Sequence, residues 1–124
     1  MAKRARADSF KRVKEIGRTL PDVELTTTWG KPTLKVRGKM FVCIASHKSA
    51  EPDTLVVRIS VDQRDAMIAD DPDTYYLKPH YEDYACVLVR LARIRRDALR
   101  DLMQAGWRFV DATVPPRRST PRRR

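Results

Sequence analysis

Apolar positions in this chain keep two rhythms. Phe10, Val13, Ile16 and Leu20 recur at three- and four-residue steps, the spacing of one helix face. This predicts a helix over Asp8 to Thr19, stopped by Leu20-Pro21-Asp22, because a residue before proline is pushed out of the helical region. The period then shortens to two, the mark of half-buried strands. Glu24 to Thr28 is a threonine-rich strand. Thr33 to Arg37 and Lys39 to Ala45 form a hairpin, with Gly38 supplying the positive φ that a tight turn needs. In Thr54 to Ser60, Leu55, Val57 and Ile59 alternate with Thr54, Val56 and Arg58. Asp62 caps a second helix running to Ala69, and Asp70-Asp71-Pro72-Asp73 breaks it. Residues 77–83 form a loop containing Pro79-His80-Tyr81. Tyr84 to Leu91 is the strongest strand, alternating Ala85, Val87, Val89 and Leu91 with Tyr84, Cys86, Leu88 and Arg90. Helical spacing returns from Arg96 to Val110, where Leu99, Leu102, Met103, Gly106, Trp107 and Val110 form one stripe.

Hairpin-spaced strands between two terminal helices predict an α+β fold, with an antiparallel sheet packed on one face by the N- and C-terminal helices. The other face is then open to solvent or to a partner. Residues 1–7 read as a disordered basic arm, 8–114 as one domain, and 115–124 as a disordered Pro/Arg-rich tail. A length of 124 residues suits a single domain.

Charge sharpens this division. The net charge is +10, but Lys3, Arg4 and Arg6 with Arg117, Arg118, Arg122, Arg123 and Arg124 carry +8 of it. Residues 7–116 hold 18 basic against 16 acidic side chains, a balance of +2. Basicity therefore sits in the terminal arms, which any polyanion would attract. The longest apolar run, Met40 to Ala45, is too short to span a bilayer. No apolar segment follows the charged N-terminus, so no secretory signal is visible. The two cysteines, Cys43 and Cys86, lie in apolar runs with neither CxxC spacing nor a histidine cluster, which points to reduced, buried thiols in the cytoplasm and away from a metal site.

Catalytic signatures are absent. The sequence contains no nucleophile elbow, zinc-protease motif, phosphate-binding loop or dinucleotide fingerprint. Its only histidines are His47 and His80. His80, between Pro79 and Tyr81, is a candidate polar site but lacks an identifiable partner base or nucleophile. Trp107 belongs to the apolar stripe of the last helix, and Trp29 is expected to anchor the core beside the hairpin. The acids Asp70, Asp71 and Asp73 lack the spacing of a calcium loop. Basic strand positions Lys35, Arg37, Arg58 and Arg90 are expected on the face away from the helices, as a cationic stripe. With Lys31 and Lys39 they would form a surface suited to phosphates; the plainer reading is that exposed strand positions carry basic side chains for solubility and edge protection.

The ordered set Leu20-Pro21-Asp22-Val23-Glu24, Trp29-Gly30-Lys31-Pro32, Leu34-Lys35-Val36-Arg37-Gly38-Lys39-Met40-Phe41, Pro79-His80-Tyr81, Val87-Leu88-Val89-Arg90-Leu91, Leu99-Arg100-Asp101-Leu102 and Trp107-Arg108 resembles the MmcQ/YjbR family over residues 9–112. The resemblance implies a frataxin-type (CyaY-like) fold and DNA binding through a double-wing arrangement, with Lys35, Arg37 and Lys39 on the wing. It does not cover the arginine-rich ends. Iron binding, which a frataxin-like fold raises, is disfavoured because Lys11, Arg12, Lys14 and Arg18 outnumber Asp8 and Glu15 on the first helix. The expected function is therefore non-enzymatic, cytoplasmic binding of duplex DNA, without metal or cofactor. The contacts would be Lys31, Lys35, Arg37, Lys39, Arg58, Arg90 and the five C-terminal arginines. The alternative is a small-ligand or protein-interaction module using a cleft near Trp29, His80 and Tyr81.

Overall fold

A computed structural model describes residues 2–28 and 30–114, with side chains from Phe10 onward. The chain runs α1 (Ala2–Gly17), β1 (Val23–Thr28), β2 (Lys31–Val36), β3 (Lys39–Ile44), β4 (Thr54–Arg58), α2 (Val61–Asp70), β5 (Tyr75–Tyr76), a 3₁₀ turn (Pro79–Tyr81), β6 (Cys86–Arg90) and α3 (Arg96–Asp111). The fold is α+β, as expected. Among the described residues six strands form one antiparallel sheet in the order β1-β2-β3-β4-β6-β5.

Three boundaries differ from the sequence reading. Helix α1 begins at Ala2, six residues before Asp8, so residues 2–7, expected to be a disordered arm, are helical. Alanine, lysine and arginine all favour helix, so propensity extends the element without an apolar stripe. Helix α2 is capped by Ser60, whose Oγ accepts the Gln63 amide at 3.2 Å, instead of by Asp62. The two-residue strand β5 was not anticipated; it lies at the sheet edge on β6. The tail expected over 115–124 and its arginines lie outside the described residues, as does Trp29.

The β2–β3 hairpin turns through Arg37 and Gly38, both at positive φ (46° and 89°), as a two-residue turn of this hand requires. Directly after it, Lys35 pairs with Met40 but Leu34 pairs with Val42. Phe41 is thus the extra residue of a bulge, and the alternation of β3 is reset. Phe41 and Val42 are both fully buried.

On the helix-bearing face, Leu34, Val36, Val42, Leu55, Val57, Val87 and Val89 join Phe10, Val13 and Ile16 of α1 and Leu99, Leu102, Met103 and Val110 of α3 in the main core. Gly106 brings α3 close to the sheet: a β-carbon there would stand 2.9 Å from the Arg58 carbonyl oxygen and 2.9 Å from Val57 Cγ1. Trp107 packs against this core as expected, its Nε1 donating to the Pro21 carbonyl at 2.9 Å.

The second face is not uniformly open, contrary to expectation. Val56, Cys86 and Leu88 pack with Tyr76 and Tyr81 in a smaller core, joined by Cys43, Ala45, Ala50 and Leu77. Residues 46–53 and 77–85 lie over that part of the sheet. Strands β4 and β6 are therefore buried on both sides, which explains their nearly continuous apolar runs.

Candidate functional site

Cross-strand register builds the floor of the site. On the second face Thr33 of β2 pairs with Cys43 of β3, Cys43 with Val56 of β4, and Val56 with Leu88 of β6. Two residue pairs along, on the same face, Arg58 stands opposite Cys86. Over this floor opens a cavity of about 580 Å³, bounded by Met40, Cys43, Val56 and Cys86 below and by His80, Tyr81, Asp83 and Tyr84 from the covering segment. Thr28 and Ser46 reach it from other sides, and Arg58 stands on its wall. This volume lies within the 300–1,000 Å³ range of small-molecule sites.

Proline starts the Pro79–Tyr81 turn, where its fixed φ suits the first position. Tyr81 is buried, and its hydroxyl is hydrogen-bonded with the backbone of His47. Burial raises its pKa above the ordinary phenol value. His80 stacks on His47 with ring centroids 3.6 Å apart and planes 10° from parallel, and Tyr81 meets His80 edge-on at 4.9 Å. The His47 Nδ1 accepts the Ser49 amide at 3.1 Å, so that nitrogen is unprotonated and a neutral ring carries its proton on Nε2. Desolvation first, then the nearby His80 and Lys48 charges, lower the His47 pKa. Burial pushes the Cys43 thiol up to about 11, with Cys86 adding to it, and burial also raises Cys86. Both are therefore thiols at neutral pH, apolar parts of the floor and poor nucleophiles.

The expected cationic stripe is broken up. Arg90 does lie on the second face, but its guanidinium grips the Glu51 carboxylate through two hydrogen bonds of 2.8 and 2.7 Å. It also donates to the Pro72 and Asp73 carbonyls at 3.1 Å each and stacks 4.2 Å over the Tyr76 ring. Four of its five donors are thus spent on the protein. The Arg90 hydrogen bond holds the Glu51 pKa below the usual carboxylate value. Arg37 is not on the second face. Its positive φ sends the side chain to Asp22 (3.5 Å) and to the carboxylate of Asp111 at the end of α3.

Arg58 is differently held. Its Nε donates to the Ala85 carbonyl at 3.2 Å, and its guanidinium carbon lies 5.7 Å from the Phe109 ring centre. Its two Nη groups have no hydrogen-bond partner among the described residues. Lys31 and Lys39 are exposed and Lys35 half-exposed, and none makes an ion pair among the described residues. The structure therefore brings His80, Tyr81 and Arg58 together and leaves the lysines outside the cavity.

Sequence reasoning missed His47, Tyr84, Cys43 and Cys86 as parts of one site. Strand alternation carried a signal for Cys86, which shares its phase with Tyr84 and Arg90; Cys43 lies in the unbroken apolar run Met40 to Ala45, where the bulge resets the alternation, and gave none. A further exposed basic group, Arg93, Arg95, Arg96 and Arg100, precedes and opens α3. Three of these have acidic neighbours: Arg95 with Asp97 at 3.8 Å, Arg96 with Glu15 at 3.1 Å and Arg100 with Asp101 at 3.5 Å. Among the described residues no three His, Cys, Asp or Glu side chains gather as a metal site, and no helix is long and apolar enough to cross a membrane.

A family model described as YjbR matches residues 18–109. "Uncharacterized protein Rv2570" of Mycobacterium tuberculosis and "Uncharacterized protein Mb2600" of Mycobacterium bovis are each 34% identical over 80 residues, covering 64% of this chain and 61% of theirs. The chain thus matches about three fifths of the length of these curated relatives. The crystal structure of Deinococcus radiodurans protein DR2400, described as a DUF419 domain, superposes with a TM-score of 0.65 over 87% of this chain and 90% of that one. At 13% identity that likeness is one of fold.

Proposed function

The chain belongs to the YjbR family, and we propose that it is a non-enzymatic binding protein whose small-molecule ligand lies in the cavity on the second sheet face. The observation that carries this reading is the cavity itself: about 580 Å³, with a floor of Met40, Cys43, Val56 and Cys86 and a rim of a few polar groups. An apolar floor with sparse, fixed polar groups is how ligand sites combine affinity with orientation. No base–nucleophile pair accompanies it. The thiols are held protonated, and His47 is hydrogen-bonded to its own turn through Ser49.

A fragment screen followed by amide chemical shifts tests the reading. Ligands should move the resonances of Cys43, Val56, Tyr84 and Cys86 together. A screen in which bound fragments leave these four unmoved would reject the cavity as the site.

A second reading, binding of duplex DNA, is favoured by Lys31, Lys35 and Lys39, which make no ion pair among the described residues and stay open to phosphate. It ranks lower because Arg37 and Arg90, two of its expected contacts, are committed to carboxylates.

A further inference from the structure

The charge inventory of the cavity restricts what can enter. Among the described lining residues, one side chain is a permanent cation, Arg58, and one is a carboxylate, Asp83. Both cysteines are neutral thiols. A ligand with several negative charges, such as a nucleoside polyphosphate, would meet a single guanidinium and be repelled by Asp83. A fully apolar ligand would leave the Arg58 fork without a partner.

Arg58 is also pre-oriented. The Nε bond to the Ala85 carbonyl anchors the guanidinium, which lies near the Phe109 ring. The pair of Nη groups left over is the edge that receives a carboxylate with two parallel hydrogen bonds. Tyr84, which also lines the cavity, is 56% exposed. The Tyr84 ring stands 6.3 Å from that of His80, tilted by 50°. Two aromatic rings, His80 with one face already stacked on His47, therefore border a floor of thiol, thioether and valine side chains.

From these features we infer that the cavity takes a flat aromatic molecule bearing a single carboxylate, the ring lying against Tyr84 and His80 above the Met40–Cys43–Val56 floor and the carboxylate paired with Arg58. This rests on the cavity being the ligand site, and it adds the ligand's charge and shape. Stacking supplies contact with the ring. The bidentate ion pair supplies discrimination, because a neutral analogue leaves donors unmatched.

The test compares indole-3-acetate with its neutral amide on the full chain by titration calorimetry. The acid should bind at least tenfold more tightly than the amide. Arg58→Gln should remove that preference, and Arg58→Lys should keep only part of it, since a point charge lacks the fork. Equal binding of acid and amide by the native protein would overturn the carboxylate inference and leave the cavity reading standing. Arg58→Gln could also perturb the Ala85 contact. The acid–amide comparison on native protein needs no variant and decides the matter by itself. If neither probe nor benzoate binds at millimolar concentration, the inference fails outright.

Discussion

At the scale of single residues, the lesson is that a basic side chain's identity says little about where its charge is used. Arg37, Arg58 and Arg90 look alike in sequence, and each is employed differently. The turn at Arg37 requires positive φ, which costs a non-glycine residue about 1–2 kcal/mol. Ion pairs with Asp22 and Asp111 offset that cost and anchor the hairpin to the end of α3. Arg90 ties the 46–53 loop to the segment after α2 through Glu51, Pro72 and Asp73. Lysine cannot reproduce that fork or the stacking on Tyr76. Arg90→Lys should therefore lower stability by about 1–2 kcal/mol, in the range of charge-assisted hydrogen bonds at a partly exposed position, and speed amide exchange in residues 46–53. Denaturant unfolding and hydrogen exchange measure both. Unchanged stability combined with weakened binding to DNA would reverse the assignment and return Arg90 to the phosphate-contact list.

At the scale of elements, the regular parts were legible and the covering loops were not. Two-residue alternation located β1 to β4 and β6 within a few residues, and helical spacing located α3 almost to its ends. These signals are local, so the sequence displays them. The bulge at Phe41 is a register event that only the partner strand defines. The packing of the 46–53 turn on Pro79–Tyr81 joins segments more than twenty residues apart, so His47 in its polar loop gave no sign of His80. That stacked pair carries a pH prediction. The folded state lowers the His47 pKa, chiefly by desolvation and then by the His80 and Lys48 charges. Ser49, Tyr81 and Tyr84 are the other polar groups around the pair. With the folded pKa below the unfolded value of 6.5, the unfolded chain binds the proton first. Stability is then complete above about pH 6.5 and declines as pH falls through the folded pKa. Exchange of the amides at 47–50 and 79–81 should accelerate from pH 7 to pH 5 beyond the intrinsic chemistry, and His47→Gln should flatten that response. A variant with the same pH slope as the native chain would assign the effect to another group.

At the scale of the whole molecule, the question is whether a chain of net charge +10 binds DNA through its fold or merely through its ends. The folded part, nearly neutral, offers three lysines along β2 and the hairpin, while most of the excess charge lies near the termini. Each neutralised phosphate contributes roughly 0.9 to the log–log dependence of affinity on salt. In the full chain, changing Arg117, Arg118, Arg122, Arg123 and Arg124 to Ser should reduce that slope by about 2 to 4 units, because tethered charges seldom all engage. Changing Lys31, Lys35 and Lys39 together to Ala should reduce it by no more than about 2.7 if every lysine meets a phosphate. Stability should hold in the lysine variant, since exposed charges without an ion pair contribute little to folding. The arginines at the start of α3 provide an internal comparison. Three of them have acidic neighbours, so Arg95→Ala with Arg100→Ala should alter the slope by less than one unit. A lysine variant that loses at least tenfold in affinity in the arginine-to-serine background would make the hairpin a working contact and raise DNA binding above the ligand reading. Complete loss of binding in that background, with the three lysines intact, would confine DNA affinity to the C-terminal arginines and leave the second-face cavity as the function of the fold.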